Sequence, residues 1–347
     1  MKATRLVRRF LCCAMLAAFA CQAPQSDRER PARFEFERAQ MGTLFRVVLY
    51  APTRDVAQTA ADAAFARLDE LNSRLSDYDP QSELSKLSSA SDGEVPTPWI
   101  SVSNELAAVL ARAAEISAAS DGAFDVSCGA ATRLWRRAIR EGEMPPSESL
   151  AHARESIDWR AVDLSLATHR VRLTRRGMRL DLGGIAKGYA LDQMLIRLAE
   201  CGVRSALVDG GGDVAVGEAP PGERGWRIEL GAVTQAQSGP RQALLLRHAA
   251  VATSGDLFRS VLLDGSRYSH IVDPHTGMGL TTQCGASVVA GDGMTADALA
   301  TAATVLGPKD SARLWARFET CDFRVIAQTA SGLLLHDSPR FSRLIAP

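Results

Sequence analysis

The 347-residue sequence lacks the features that would indicate several common functions. Basic and acidic side chains number 40 each, so the chain has no basic excess of the kind that indicates a nucleic-acid partner. Beyond the N-terminus, no apolar run is long enough to span a bilayer. The later cysteines are widely spaced and form no CxxC pair: Cys128, Cys201, Cys284 and Cys321. Their spacing predicts neither a metal site nor a disulfide pairing, and we expect buried thiols.

Residues 1–20 are predicted to be a signal peptide rather than part of the fold. A positively charged region precedes an apolar stretch that is too short to span a membrane. The residues around Cys21 then resemble a bacterial lipobox, in which this cysteine becomes the lipidated first residue. Ala18 stands where leucine is usual, so ordinary cleavage to a soluble protein is the alternative. We expect an exported protein, lipid-anchored to the bacterial inner membrane and facing the periplasm, with a tether at 21–32.

Residues 33–347 are predicted to form a single α+β domain, with mixed or antiparallel strand clusters packed by helices. Hydrophobic residues make up 46% of the chain, which is enough for a sizeable core. Long helices lie between groups of short strands, and this pattern favours α+β over a doubly wound sheet. The predicted strands lie on either side of 41–43 and at 162–182, 205–208, 214–216, 226–230, 243–246, 268–272, 286–289, 323–327 and 332–335. The predicted helices lie at 56–75, 101–120, 185–199, 295–305 and 311–318, with a surface loop at 88–98 and an inserted loop at 235–241.

A glycine-rich turn at 181–188 lies where a predicted strand ends and a helix begins. Gly183 and Gly184 leave the backbone uncovered, so a ligand oxygen or a metal can come close, and the free N–H groups of the next helical turn attract anions. Lysine occurs at only four positions in the chain, so Lys187 hints that an ammonium group is needed here. The plainer interpretation is a tight turn capped by Asp181, with a solvated lysine. The spacing is not that of a Walker loop.

A second motif pairs Asp297 with Thr301 on a predicted helix. Residues four apart point to the same face of a helix, and a carboxylate with a hydroxyl is a hard-oxygen pair that suits Mg²⁺. In the plainer interpretation, Asp297 is a first-turn residue favoured by the helix dipole.

The motif DGGGD at 209–213 precedes a strand rather than a helix, so it is not a dinucleotide fingerprint. It is either a glycine-lined connection beside a ring or phosphate, or a hairpin turn.

The remaining candidates are a histidine, hydroxyl groups and aromatic rings. His270 precedes a strand that runs into a proline turn, and histidine can transfer a proton near neutral pH; otherwise it satisfies a backbone carbonyl. Residues 253–256 (TSGD) offer hydroxyls, although a helix N-cap is their plainer role. Tyr78 and residues 122–125 (GAFD) could hold a ring or pack in the core.

In this order, the motifs resemble the FAD:protein FMN transferases, or ApbE-type flavin transferases, formerly named thiamine-biosynthesis lipoproteins. The resemblance covers the chain from Phe34 to the C-terminus. Each motif alone is weak, but the set in one order is highly specific. The matching stretches are 41–43, 75–84, 122–125, 181–188, 209–213, 253–255, 270–277 and 297–301.

The resemblance implies a domain that binds one FAD as substrate, with Mg²⁺ as cofactor. The metal ligands that it implies are the Asp297 carboxylate, the Thr301 hydroxyl and the backbone carbonyl of Gly184. His270 corresponds to the family's histidine and is the candidate base, with Asp181 as the fallback. The flavin and ribityl contacts that it implies come from Met41, Tyr78, Ala123, Phe124, Asp125, Asp181, Lys187 and Ile271.

The implied reaction moves the FMN half of FAD onto a threonine or serine hydroxyl of a partner protein and releases AMP. The partner is expected to be an exported or membrane protein, such as an electron-transfer complex subunit or a reductase. One alternative is a Mg²⁺-dependent FAD pyrophosphatase, in which water replaces the protein hydroxyl. The other is a non-catalytic exported flavin-binding lipoprotein, which has no need of His270 or of the pair Asp297 and Thr301.

Overall fold

A computed structural model describes residues 30–231, 242–255 and 260–346. Antiparallel strands make up the centre of the fold. From Pro31 onward, these residues belong to one unit. The strands are β1 (Ala32–Gln40), β2 (Thr43–Ala51), β3 (Ile100–Ser101), β4 (Val162–Ser165), β5 (Arg170–Leu173), β6 (Ala206–Gly210), β7 (Asp213–Val216), β8 (Trp226–Glu229), β9 (Ala243–Leu246), β10 (Ala249–Gly255), β11 (Ser260–Leu263), β12 (Ser266–Ser269), β13 (Val272–Asp273), β14 (Met278–Gly279), β15 (Cys284–Ala290), β16 (Asp322–Thr329) and β17 (Gly332–Asp337). The predicted signal peptide and the inserted loop at 235–241 lie outside the described residues.

The largest sheet has eight strands in the order β1-β2-β6-β7-β10-β15-β16-β17, and every neighbouring pair is antiparallel. The β1–β2 hairpin turns through Met41 and Gly42, whose φ angles of 49° and 73° give the positive pair that a tight two-residue hairpin favours. The β6–β7 hairpin turns through Gly211 and Gly212, with φ of 71° and 98°. The two turns are neighbours at one end of the sheet, because a Cβ atom added to Gly211 would lie 2.6 Å from Thr43 Oγ1.

Some of the helices begin at side chains that cap them. They are α1 (Arg54–Leu75), α2 (Glu83–Ala90), α3 (Asn104–Ala119), α4 (Gly129–Glu141), α5 (Ser147–Glu155), α6 (Ala186–Glu200), α7 (Gly293–Asp310) and α8 (Ala312–Arg317). Thr53, Ser103 and Asp292 accept hydrogen bonds from the first turns of α1, α3 and α7, which satisfies donors that a helix start leaves open. Gly307, with φ of 71°, interrupts α7 just before Pro308.

Helices cover one face of the large sheet, and a short strand pair covers part of the other. Side chains of α1, α6 and α7 join those of the sheet in the main core. Half of the buried residues of α7 are alanine, which lets this helix approach its neighbours closely. The opposite face carries Val48, Val214 and Val216, which pack with Trp226 and Ile228 of the β8–β9 pair.

The α+β prediction is confirmed, although several predicted boundaries are wrong. The predicted surface loop at 88–98 begins inside α2, where Ser88 is buried and its hydroxyl accepts a hydrogen bond from Leu180 N. The predicted strand at 268–272 is interrupted at His270. Helices α4 and α5 were not predicted. The apolar residues of α4 that become buried, Ala131, Trp135 and Ala138, recur at helical spacing and were a missed signal, whereas α5 buries only Ala153.

The four later cysteines lie in the described part of the chain. No disulfide bond joins the cysteines of the described part of the chain. Cys284 and Cys321 are buried as expected, whereas Cys128 and Cys201 are only half-buried. Within residues 30–231, 242–255 and 260–346, no helix has the length and apolar character needed to cross a membrane.

Candidate active site

A cavity of about 2430 Å³ lies at the end of the sheet that carries the two hairpin turns. Its walls come from distant parts of the chain: the β1–β2 turn, the turn before α6, the break between β12 and β13, and α7. Every residue that the sequence placed in the site lines this one cavity. They are Met41, Tyr78, Ala123, Phe124, Asp125, Asp181, Gly184, Lys187, His270, Ile271, Asp297 and Thr301.

Two glycines let α6 and α7 touch beside the cavity. A Cβ atom added to Gly188 would lie 2.0 Å from the carbonyl oxygen of Gly293, and one added to Gly293 would lie 2.5 Å from the carbonyl oxygen of Gly188. Neither atom fits unless the helices separate. This contact brings Asp297 to the first turn of α6, where its Oδ2 accepts a hydrogen bond from Gly188 N at 3.1 Å.

The glycine-rich turn before α6 lies directly against Thr301. A Cβ atom on Gly184 would lie 2.8 Å from Thr301 Oγ1, so a side chain at this position would displace the hydroxyl. Asp297 lies one turn before Thr301 on the same helix, as their spacing predicts. The structure therefore brings together a carboxylate, a hydroxyl and an uncovered backbone.

Lys187 lies between two buried carboxylates. Its Nζ is 2.8 Å from Asp213 Oδ2 and 3.3 Å from Asp297 Oδ2. Burial opposes the charge of Lys187, but the two carboxylates outweigh this effect and raise the pKa of its ammonium group. Burial also raises the pKa of Asp297 to about 6; Lys187 opposes this shift and Asp213 adds to it. The cluster contains two carboxylates and one ammonium group, so a bound cation would neutralise the excess negative charge.

Asp213 is a member of the site that sequence reasoning did not assign. The carboxylate is only 4% exposed, and its Oδ1 accepts a hydrogen bond from Thr253 N at 3.1 Å while Oδ2 pairs with Lys187. A usable signal is present in the sequence: the aspartate follows a glycine turn and opens a strand whose next three residues are apolar. A charge at the start of such a buried strand requires a partner.

Arg136 is a second member that the sequence did not reveal. Its guanidinium donates to Asp77 Oδ2 at 2.5 Å and to Asp181 Oδ2 at 2.8 Å, and its Cζ lies 4.6 Å from the ring centre of Tyr78. The other oxygen of Asp181 accepts a hydrogen bond from Gly183 N at 2.7 Å. One arginine of α4 thus ties the Tyr78 loop to the glycine-rich turn. The apolar spacing of α4 was a usable signal for the helix, but it does not show that Arg136 reaches these two carboxylates.

The carboxylate of Asp77 has an unusual environment. Burial raises its pKa, and the nearby charge of Asp181 raises it further, while Arg136 opposes both effects. Burial likewise opposes the positive charge of Arg136, but the two carboxylates outweigh it and raise the pKa of the guanidinium. The guanidinium of Arg136, held between these two carboxylates, gives this wall of the cavity a defined geometry.

The segment at 123–125 contributes mainly backbone and structure. Ala123 and Phe124 are 1% and 4% exposed, so the phenylalanine ring packs in the core. The Asp125 carboxylate accepts hydrogen bonds from Ser127 N and Oγ at 2.7 and 2.6 Å and from Trp159 N at 2.9 Å. Burial raises the pKa of Asp125, and these hydrogen bonds oppose the shift. Tyr78, in contrast, is 75% exposed and offers a ring face to a ligand.

His270 and Ile271 lie where the chain leaves the strand pairing. Ile271 N donates to Ser269 Oγ at 2.9 Å, a local bond that replaces pairing with a strand. Both residues are half-buried and line the cavity. His275 takes a different position, because its Nε2 lies 2.9 Å from the carbonyl oxygen of Asp121.

Residues 253–255 lie in a strand. They form the end of β10, whereas Asp256, the last residue of the predicted cap, lies outside the described residues. The hydroxyl of Thr253 lies 2.9 Å from Ser287 Oγ on the neighbouring strand. All three residues line the cavity.

Known proteins resemble this chain in sequence and share its fold. A model of the ApbE family matches residues 41–325. The chain belongs to the ApbE family. A relative from Treponema pallidum named FAD:protein FMN transferase is 34% identical over 306 residues, which cover 83% of each chain. One of the same name from Haemophilus influenzae is 30% identical over 289 residues, covering 80% of this chain and 81% of the relative. The crystal structure of the ApbE protein from Thermotoga maritima has a TM-score of 0.79 at 27% identity and covers 91% of this chain and 100% of that one.

This ApbE-family site combines three elements useful for chemistry on a phosphate group. Lys187 and the N-terminal turn of α6 provide positive potential. Asp297, Thr301 and the backbone of Gly184 provide hard oxygens. His270 provides a group that can take a proton. Within the described residues, no cluster of three or more His, Cys, Asp or Glu side chains could hold a metal, so a cation here would depend on hydroxyl, carbonyl and ligand oxygens as well.

Proposed function

We propose that this ApbE-family enzyme transfers FMN from FAD to a threonine or serine hydroxyl of a partner protein, uses Mg²⁺ and releases AMP. Two lines of support meet here. Relatives that align with most of this chain are named FAD:protein FMN transferase. The cavity also offers an exposed ring, a lysine at the start of a helix and a set of hard oxygens, which a flavin, a pyrophosphate and a divalent cation respectively need.

The cluster of Lys187, Asp213 and Asp297 beside the contact between Gly184 and Thr301 is the observation that carries the proposal. The residues fit Mg²⁺, since the cation prefers oxygen ligands and keeps positions open for substrate phosphates. The bare backbone at Gly184 supports this assignment, because any side chain there would occupy the space next to Thr301 Oγ1. Asp297, Thr301 and the Gly184 carbonyl would hold the cation.

The proposed reaction exchanges one phosphorus–oxygen bond for another. The acceptor hydroxyl oxygen forms a bond to the flavin-side phosphorus of FAD, and the bond from that phosphorus to the bridging oxygen breaks. AMP leaves with the bridging oxygen, and the hydroxyl proton passes to a base and then to solvent. When bound, Mg²⁺ would neutralise the negative charge that develops on the pyrophosphate.

The protein's own groups orient this reaction. Lys187 adds positive charge beside the phosphates, and the dipole of α6 adds partial positive charge at the start of this helix. His270 is the proposed base for the acceptor hydroxyl. Asp181 is the weaker candidate, because both of its oxygens are engaged, one by Arg136 and the other by Gly183 N.

One mixture distinguishes the proposed transferase from its alternatives. The protein is incubated with FAD, Mg²⁺ and a library of short peptides that each contain one threonine, and the products are denatured and separated. Flavin that remains attached to peptide, together with an equal amount of AMP, supports the transferase. Free FMN with AMP and no labelled peptide identifies a pyrophosphatase, and intact FAD identifies a flavin binder. Either of the last two results overturns the proposal.

We also propose that the protein is exported and lipid-anchored through Cys21. The support is the sequence pattern around this residue, which lies outside the described part of the chain. The acceptor would then be an exported or membrane protein on the same side of the membrane. Cys21→Ala should move the protein from the membrane fraction to the soluble periplasmic fraction, and an unchanged membrane fraction in this variant would contradict the anchor.

A further inference from the structure

The cavity is larger than one dinucleotide requires. Its volume is about 2430 Å³, whereas pockets for small molecules and cofactors measure about 300–1,000 Å³. The lining continues past the two hairpin turns onto the sheet face that the helices do not cover. The proposed reaction has a second substrate, a polypeptide, whose hydroxyl must reach the same site. The excess volume therefore offers a place for that polypeptide.

The part of the cavity beyond the hairpin turns has an ordered floor, and we call it the distal groove. Its floor and wall are formed by Arg46, Val48 and Tyr50 of β2, Leu207 and Asp209 of β6, and Trp226 and Ile228 of β8. Val48 pairs with Leu207, and Arg46 pairs with Asp209. Directly opposite residues of neighbouring strands share a face, so the floor consists of an apolar row next to a charged row.

The charged row pairs one arginine with several carboxylates. Arg46 lies 3.4 Å from Glu37, 3.6 Å from Glu35 and 4.0 Å from Asp209, so acidic groups outnumber it. Such exposed pairs contribute little to binding, and the apolar row is the surface that a bound segment can remove from water.

That apolar row remains accessible. Leu207 and Tyr50 are half-buried and line the cavity, and the Tyr50 ring centre lies 5.9 Å from that of Trp226. Apolar side chains of a bound segment could cover these two residues and remove them from water.

The distal groove joins the reacting end around the β6–β7 turn. Gly210 pairs with Asp213, the residue that binds Lys187, and both face the helices. Leu207 faces the other side of the sheet, and its three-residue separation from Gly210 corresponds to about 10 Å at about 3.3 Å per residue. An extended polypeptide must cover this distance and also pass the end of the sheet, so it needs more than about three residues.

We propose that the distal groove binds the acceptor polypeptide as an extended segment. Apolar side chains more than about three residues from the acceptor hydroxyl contact Leu207 and Tyr50, and they select which threonine or serine is modified. This inference rests on the proposed transferase function. The reaction chemistry stays at Lys187 and Asp297, and the distal groove acts on the choice and affinity of the acceptor.

A charge introduced into the apolar row tests this proposal. Wild-type protein, Leu207→Glu and the control Leu334→Glu are each incubated with FAD, Mg²⁺ and the peptide library with one fixed threonine and random flanks. Leu334 lies on β17, at the far edge of the same sheet, and is 49% exposed. Labelled peptides are sequenced, and AMP release without peptide is measured as a check that each variant is folded and active.

We expect the wild type and Leu334→Glu to label peptides with apolar flanks. Leu207→Glu should label these peptides about tenfold less and should instead enrich lysine and arginine at the same flanking positions, with unchanged AMP release. If Leu207→Glu fails to release AMP, Tyr50→Ala replaces it and should raise the acceptor KM without changing AMP release.

Three other results are informative. Flanking preferences that are identical in the wild type and the distal-groove variants would overturn the acceptor site while leaving the transferase intact. A raised KM for FAD in these variants would assign the distal groove to the dinucleotide and also overturn the proposal. AMP release with no labelled peptide from the wild type would overturn the transferase function itself, and the acceptor site with it.

Discussion

Gly188 of α6 and Gly293 of α7 bring the backbones of these helices into contact. The α-carbon of each glycine faces the carbonyl oxygen of the other, and only a hydrogen atom fits between them. This contact sets the distance between the glycine-rich turn and the residues of α7 that face it. Asp297 reaches Gly188 N and Thr301 reaches Gly184 as a result. The geometry of the proposed cation site therefore depends on two residues that have no side chain.

Gly188→Ala should separate the two helices and damage both stability and activity. The added methyl group would lie 2.0 Å from the carbonyl oxygen of Gly293, and overpacking of this kind costs about 1–3 kcal/mol. We expect a lower free energy of unfolding in urea and a loss of AMP release from FAD. Gly291→Ala is the matched control, because an added Cβ meets nothing within 4 Å there. Equal stability of both variants would contradict this packing account.

Lys187→Met should make the fold more dependent on divalent cations. Without the ammonium group, Asp213 and Asp297 would lie buried and close together with no positive partner, at a cost of about 3 kcal/mol. We expect a lower Tm in EDTA than that of the wild type and a larger increase in Tm on addition of Mg²⁺. The control is Lys309→Met, which changes an exposed lysine. An equal Mg²⁺-induced shift in Lys187→Met and the wild type would show that Lys187 does not compete with a cation bound at Asp297.

Arg136→Lys should weaken FAD binding although it preserves the charge. A lysine cannot bridge Asp77 and Asp181 with a planar fork. Each lost hydrogen bond to a charged group is worth about 1.5–3 kcal/mol, so we expect the KM for FAD to rise about tenfold or more. Arg137→Lys is the neighbouring control, because Arg137 pairs with Glu141 on the exposed side of α4. Similar KM values for the two variants would remove Arg136 from the site.

Much of this site could be predicted because its residues are marked by local patterns. Glycines at 183, 184 and 210–212, the spacing of Asp297 and Thr301, and the lone lysine at 187 are all visible in the sequence. Each reflects a backbone requirement or a helical period. The order of these patterns along the chain then indicated one family.

The residues that escaped prediction act through tertiary contacts. Arg136 lies on a helix whose sequence is dominated by arginine and alanine, so nothing local separates it from its neighbours on α4. Asp213 was visible within its motif, but its pairing with Lys187 depends on how β7 and α6 pack. The strand break at His270 depends on one hydroxyl of Ser269, and such a bond has no periodic signal.

Stability should depend on pH through Asp192, whose oxygens accept hydrogen bonds from Gly293 N and Met294 N at 2.6 and 3.0 Å. Burial raises the pKa of Asp192 to about 7, against the opposing effect of these bonds; the unfolded-state pKa is about 4. A carboxyl group whose pKa is higher in the folded state than in the unfolded state contributes its full stability below the unfolded-state pKa. This contribution is lost as the pH rises through the folded-state pKa.

The measurement is the difference in free energy of unfolding between the wild type and Asp192→Asn from pH 4 to 8. We expect the wild type to lose stability relative to the variant between about pH 4 and 7 and to show no further change above that range. A difference that stays constant across the series, or that moves in the opposite direction, would contradict the assigned burial of this carboxylate.

The central claim is that Asp297 and its neighbours hold the divalent cation that drives cleavage of FAD. The most direct measurement is the rate of AMP release from FAD over a Mg²⁺ series, for the wild type and for Asp297→Asn, which retains the shape of the side chain. The account predicts that the wild-type rate rises with Mg²⁺ and disappears in EDTA, and that the variant is at least about 100-fold slower at every concentration. A variant that releases AMP at the wild-type rate with Mg²⁺ present would contradict it.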